Sequence, residues 1–285
     1  MLPLTVKIIT DSTADLPLGL ADQLGITVVP LKVHFGDDEY LDWIDLGPDA
    51  FYTKLAERKV LPRTSQPAPA DFEAVYKMAA AEQKSIISIH LSAELSGTYQ
   101  SAVLARNSLP EFDITVVDSR LASMAFGIVV LEAARAARAG RSKEEILAQI
   151  NRQLARVRVY FAVGTLEFLQ RNGRIGKAAA WVGGLLNVKP LLTLKDGIVV
   201  PKEKVRGKAK AMERLLELVQ EEADGPVGGK AVVLHGNEPE RAGELTEKLQ
   251  QRYNFSEVIV SSIGAVIGTH AGPGVLAVCV LQEDV

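Results

Sequence analysis

Ser85-Ile86-Ile87-Ser88-Ile89-His90-Leu91-Ser92-Ala93-Glu94-Leu95-Ser96-Gly97-Thr98-Tyr99-Gln100-Ser101-Ala102 reads as a buried strand, a short hydroxyl-rich loop and a helix that begins at Ser96. Such a junction is an anion site. The first amides of a helix have no intrahelical partner, the macrodipole puts partial positive charge there, and Gly97 lets a ligand approach the backbone. An ordinary N-cap would account for Ser96 alone. A second hydroxyl cluster, Thr64-Ser65-Gln66-Pro67, lies upstream in what reads as another helix approach, and the pair favours a ligand.

Around this stretch, apolar runs of strand length alternate with helix-periodic segments through the first half of the chain. That is the pattern of a mainly parallel sheet with helices on both faces. The expected order is a strand over 6–10, a helix opened by Leu16-Pro17 and running to Leu24, and one strand from Ile26 to Phe35. After a turn at residues 36–39 come Tyr40-Leu41-Asp42-Trp43 and helices over 48–57 and 71–83. Strands at 85–90 and 114–117 complete the half. Ala122 to Arg138 is apolar enough to lie buried against the sheet. Ser142 stands three residues before Glu145 in a capping box that opens the next helix, which ends near Val157.

The second half is patterned differently. Pro190 to Pro201 reads as a hairpin about an Asp196-Gly197 turn. Helices near 208–222 and 240–253 flank a strand at 230–235, with further strands at 257–262 and 276–281. The fold class is therefore α/β: an N-terminal mainly parallel sheet over residues 1–157, then a C-terminal α+β domain with an antiparallel hairpin over 158–285. The boundary falls between Arg156 and Tyr160. At 285 residues the chain is long enough for two domains.

Composition narrows the function. A net charge of −3, with bases interleaved among acids, gives no general attraction for nucleic acid. The one cysteine, Cys279, sits in an apolar run and reads as a buried, inert thiol. No secretory signal is visible and no apolar run reaches the roughly 20 residues of a membrane span, so a cytoplasmic location is expected.

These segments, with Lys7-Ile8-Ile9-Thr10-Asp11-Ser12-Thr13-Ala14-Asp15-Leu16-Pro17, Val117-Asp118-Ser119, Arg171-Asn172-Gly173-Arg174-Ile175, Asn187-Val188-Lys189-Pro190 and Gly268-Thr269-His270-Ala271-Gly272-Pro273-Gly274, resemble the DegV family over roughly residues 5–282. The resemblance implies an intracellular protein that binds one long-chain fatty acid, such as palmitate, between two domains. It also implies a carrier that presents the acid to a separate fatty-acid kinase, with no cofactor and no catalysis of its own. By resemblance, the Thr64 and Ser96 hydroxyls contact the carboxylate, with the Gly97 amide helping and Ser65 and Ser92 as secondary candidates. His270, in a glycine-flanked loop, would support the head group from behind, and Arg174 and Arg206 would form a basic rim for a phosphate or a kinase. Burying about 14 methylenes at roughly 0.8 kcal/mol each outweighs the 0.3–2 kcal/mol a helix terminus offers an anion, so the tail holds and the head selects.

The same residues admit other readings. Thr64 capping a turn at Pro67–Asp71 would leave it structural. Asp11 and Asp15 could hold a metal, but loop closure and capping by Asp15 explain them better, and no metal is expected. Met124, Phe126, Ile128, Val129 and Leu131 suit a tunnel wall or a core equally. His34, His90 and His235 read as structural, and Glu94 should point outward. The alternative function is an acyl-ester hydrolase or a phosphotransfer enzyme. The chain has neither a Gly-x-Ser-x-Gly elbow nor a glycine-rich phosphate loop, which disfavours both.

Overall fold

The computed structural model describes residues 6–58, 60–82, 85–182, 188–221 and 227–282. Its first half runs β1 (Val6–Asp11), α1 (Leu20–Leu24), β2 (Thr27–Val29), β3 (Lys32–Phe35), β4 (Asp38–Leu41), α2 (Pro48–Glu57), β5 (Arg63–Ser65), α3 (Pro69–Ala80), β6 (Ser85–His90), α4 (Thr98–Asn107), β7 (Ile114–Asp118), α5 (Met124–Arg138) and α6 (Lys143–Arg156). Strands β2-β1-β6-β7 form a parallel sheet. Helices α3 and α4 bury Phe72, Tyr76, Ala102 and Ala105 against Ile9 and Ile86 on one face. On the other, α5 packs over Ile8, Ile87 and Ile89. With both faces covered, apolar residues fill both sides of the central strands, Ile8 and Ile9 of β1 and Ile86, Ile87 and Ile89 of β6, with Ser88 and His90 as the buried polar exceptions in β6.

The second half runs β8 (Val157–Ala162), α7 (Glu167–Arg171), β9 (Val188–Lys195), β10 (Ile198–Arg206), α8 (Lys208–Glu221), β11 (Gly228–His235), α9 (Pro239–Arg252), β12 (Asn254–Ser262), α10 (Ala265–Ala271) and β13 (Leu276–Leu281). The sheet order is β10-β9-β8-β13-β11-β12. Every pairing is antiparallel except β11 with β12, which α9 joins as a crossover. Alternation divides the sheet's two faces: Val232, Leu234, Ala277 and Cys279 join the core around α5, whereas Ala231, Val233, Val278 and Val280 lie beneath α8 and α9. The β9–β10 turn places Asp196 at φ 54° and Gly197 at φ 83°, the left-handed pair a two-residue hairpin of this type needs.

Several expected elements differ. Residues 26–35 form two strands, not one. The chain leaves the parallel sheet at Pro30, which has no amide to donate, and β3 begins a separate antiparallel sheet ordered β4-β3-β5. Thr64 and Ser65 therefore lie on a strand, and Thr64 caps no turn. The first helix is shorter than expected, because Gly19 at φ 76° starts it only at Leu20. Helix α4 begins at Thr98, with Gly97 as its cap residue and the Ser96 hydroxyl accepting from the Thr98 amide at 3.3 Å. Residues 265–271, expected as loop, form α10, which Gly272 ends at φ 76°. The expected helix ends at Gln83 and Glu222, and Asn187, lie outside the described residues.

Candidate functional site

A cavity of about 360 Å³ lies between the inner face of the six-stranded sheet and the carboxyl edge of the parallel sheet, where open α/β folds place ligands. The sheet supplies Val159 and Phe161 of β8, Leu194 of β9, Val199 of β10, Leu234 of β11 and Ala277 of β13. Alternation puts them all on one face, so a continuous greasy wall follows from strand geometry. Opposite stand Leu91 and Leu95 after β6, Ala122 and Ser123 after β7, and Val266 and Ile267 of α10.

Among the described residues, the polar lining is Thr64, Ser65, Gln66, Ser96, Ser123, Arg174 and His270. Thr64 Oγ1 lies 2.9 Å from His270 Nε2, joining β5 to the end of α10 across 206 residues of sequence. His270 Nδ1 is buried and has no hydrogen-bond partner among the described residues. Burial, and secondarily the Arg174 guanidinium, push its pKa down to about 4, so the ring is neutral at physiological pH. Arg174 donates from Nε to Leu95 O at 3.0 Å and from Nη1 to Asn172 O at 2.8 Å, which fixes the cation beside the residue preceding Ser96. The Gln66 amide lies directly over Gly97, 2.3 Å from where a Cβ there would stand, and only the flexible end of Gln66 would have to move to make room for one. The cluster offers hydroxyls, a neutral imidazole and a guanidinium at the end of an apolar cavity, a donor set suited to a carboxylate with a long hydrocarbon tail.

Of the residues singled out in the sequence, Thr64, Ser65, Ser96, Arg174 and His270 share this cavity. Ser65 does so with its hydroxyl engaged by His34 Nε2 at 2.9 Å. Ser92 does not line it. Its buried hydroxyl donates to Gly197 O at 2.8 Å and pins the β9–β10 turn. Gly97 sits behind Gln66 rather than on the wall. Arg206, exposed at the end of β10, also lies off the cavity. Arg171 pairs with Glu167 at 2.7 Å, and Glu94 is exposed. Met124, Phe126, Ile128, Val129 and Leu131 are fully buried core of α5 and line no part of it.

Asp11, at the end of β1, and Asp15, just after it, spend their oxygens on protein donors. Asp11 accepts from the Thr13 amide at 3.0 Å and the Leu91 amide at 3.2 Å and meets His90 Nδ1 at 2.9 Å. Asp15, at φ 49°, caps no helix start. It takes the Gly264 amide at 3.0 Å, Trp43 Nε1 at 3.3 Å and the Ser123 hydroxyl. Among the described residues no group of three or more His, Cys, Asp or Glu is arranged to hold a metal. His90 continues to Ser88 at 2.7 Å and Tyr76 beyond it, a chain sealed inside the sheet.

Sequence reasoning missed Gln66, Ser123 and Asp42. Asp42 Oδ1 accepts from the Ala265 and Val266 amides at 3.0 and 3.4 Å, and so grips the start of α10. The signal was present as an aspartate after a strand, but its partner lay more than 200 residues away in a segment read as loop.

The family model described as "Uncharacterised protein, DegV family" matches residues 5–283. The chain belongs to the DegV family. Its similarity to Protein DegV of Bacillus subtilis is 37% identity over 97% of this chain and 99% of that protein. The solved structure described as fatty acid binding of a DegV family protein from Thermus thermophilus aligns with a TM-score of 0.93 at 40% identity, covering 98% of this chain and all of that one. A second, described as DegV, a fatty acid binding protein from Bacillus subtilis, aligns at 0.86 with 37% identity over 96% of this chain and 98% of its own. The α/β architecture is that of DegV structures.

Proposed function

We propose that this DegV protein binds one long-chain fatty acid in the cavity, with the carboxylate held by Thr64, Ser96, His270 and Arg174 and the tail along the six-stranded sheet. The observation that carries this reading is the polar cluster beside an otherwise apolar wall. The fatty-acid-binding descriptions of the Thermus and Bacillus neighbours support it. Arg174 supplies the countercharge. The neutral His270 ring orients the Thr64 hydroxyl, and the unpartnered Nδ1 is a group a bound head or its water would satisfy. Tail burial provides most of the affinity, about 0.8 kcal/mol per methylene before ordering costs.

The protein acts as a carrier between residues 1–157 and 158–285, without chemistry of its own, and hands the acid to a separate kinase in the cytoplasm. A hydrolase needs a base oriented by an acid on its second nitrogen. Here His270 Nε2 faces Thr64 and Nδ1 has no carboxylate, which counts against an acyl-ester hydrolase. Mass spectrometry of an organic extract of the purified protein tests the reading. One long-chain acid per chain is expected; absence of lipid together with ester hydrolysis would overturn it.

A further inference from the structure

A second cavity, of about 290 Å³, opens on the far side of the 271–275 turn. Ala271 and Val275 line the first cavity, while Pro273 and Gly274 between them line the second. Its wall also includes Gly164 after β8, Lys189 of β9, Lys208 at the start of α8, and Glu238 and Arg241 at the start of α9. Among the described residues of its lining, the ionisable groups are three cations and one carboxylate.

The cations are held in place. Lys189 Nζ donates to Gly164 O at 3.0 Å, and no carboxylate among the described residues pairs with it. Lys208 Nζ meets Glu238 Oε1 at 2.6 Å. Arg241, 18% exposed, donates to Lys208 O at 3.1 Å and lies 3.7 Å from the second Glu238 oxygen. Glu238 is itself only 17% exposed, so it is committed to positioning Lys208 and Arg241 and cannot swing to neutralise Lys189. An excess of two positive charges thus lines a recess where solvent screening is reduced. Gly164 and Gly274 add no side chains to fill it, and a Cβ at Gly164 would meet Pro273 O at 2.9 Å.

We infer that this cavity binds a phosphate group, as inorganic phosphate or a small phosphate monoester, through Lys189, Lys208 and Arg241. A tetrahedral dianion matches the charge excess and offers acceptors to the N–H groups that the protein leaves free.

The test is calorimetric titration of the lipid-loaded protein with inorganic phosphate, and separately with glycerol phosphate, at constant ionic strength. Saturable binding with one phosphate per chain is expected. Lys189→Gln with Arg241→Gln should weaken it at least 10-fold, and Lys208→Gln, at a more exposed position, should weaken it less. Arg174→Gln, in the lipid cavity, should leave it unchanged. Tighter binding of the monoester would identify an organic phosphate as the occupant, and equal or tighter binding of inorganic phosphate would identify the free ion. Melting curves without phosphate check that the variants are folded, and should any unfold, phosphate-induced amide shifts of Gly164 and Gly274 in the unmutated protein replace them. Binding that is absent, that never saturates, or that is lost in Arg174→Gln and kept in the double variant would overturn the inference.

Discussion

Ser96 and Thr64 both border the lipid cavity, yet their hydroxyls do different work. Ser96 Oγ caps the Thr98 amide, whereas Thr64 holds His270 at 2.9 Å. Ser96→Ala loses a weak cap, about 1 kcal/mol of stability. It also removes a hydrogen bond to a charged head group, worth about 1.5–3 kcal/mol, so fatty-acid Kd should rise roughly 10- to 100-fold. Fluorescent fatty-acid titration beside a melting curve separates the two effects. Unchanged affinity would remove Ser96 from the site. His270 carries its own pH signature. Its folded pKa near 4 lies below the ordinary 6.5, so the unfolded chain binds the proton more readily. Its contribution is complete above pH 6.5 and is lost as pH falls through 4, up to roughly 3 kcal/mol for such a displacement. His270→Gln should flatten that part of the stability profile, read by urea denaturation from pH 7 to 4.

Helix α10 is the element that sequence patterning concealed. Glycines at 264, 268 and 272 interrupt its apolar spacing, and Gly268 is required because a Cβ there would come 2.6 Å from the Phe51 ring. The spacing of Ser142 and Glu145 was legible because a capping box is local, and the Asp196-Gly197 turn was legible for the same reason. What fixes α10 is not local: Asp42, from a loop near the start of the chain, accepts its first two amides, and Asp15 takes the amide of Gly264 just before it. Burial raises the Asp42 pKa to about 7, with a smaller push from the Asp11 charge, and raises that of Asp15 as well, with repulsion from Asp42 adding to it. The folded state therefore binds the Asp42 proton where the unfolded chain has already lost it. Stability from this group falls as pH rises from about 4 to about 7. Asp42→Asn keeps an acceptor for the Ala265 amide and removes the charge, so relative to the unmutated protein it should gain up to roughly 4 kcal/mol between pH 4 and pH 8. Denaturant melts at the two pH values measure this. A variant that loses ground at pH 8 would mean that the helix amides stabilise the carboxylate more than burial penalises it.

At the scale of the molecule, two sheets share one core through α5, and the cavity is the place where that shared core is left unfilled. Arg135 of α5, bound to Glu132 and Glu257 at 2.6 Å each, ties the helix to β12, and Lys230 of β11 joins the same Glu132 at 2.6 Å. Sequence alternation revealed both sheets, but it could not tell a packed face from one that borders a cavity. For that reason the apolar residues of α5 looked as suitable for a wall as Val159, Leu194 or Leu234 do in the structure. A bound tail completes the core and so stabilises the fold by mass action, about 4 kcal/mol when free ligand stands 1,000-fold above Kd. Delipidated protein should melt lower than loaded protein and recover on adding fatty acid. Leu194→Trp fills part of the cavity with protein. It should reduce recovered lipid several-fold and shrink the loaded-minus-delipidated melting difference, while its own delipidated form melts no lower than the delipidated parent. A full melting shift in Leu194→Trp would place the tail elsewhere than along this sheet.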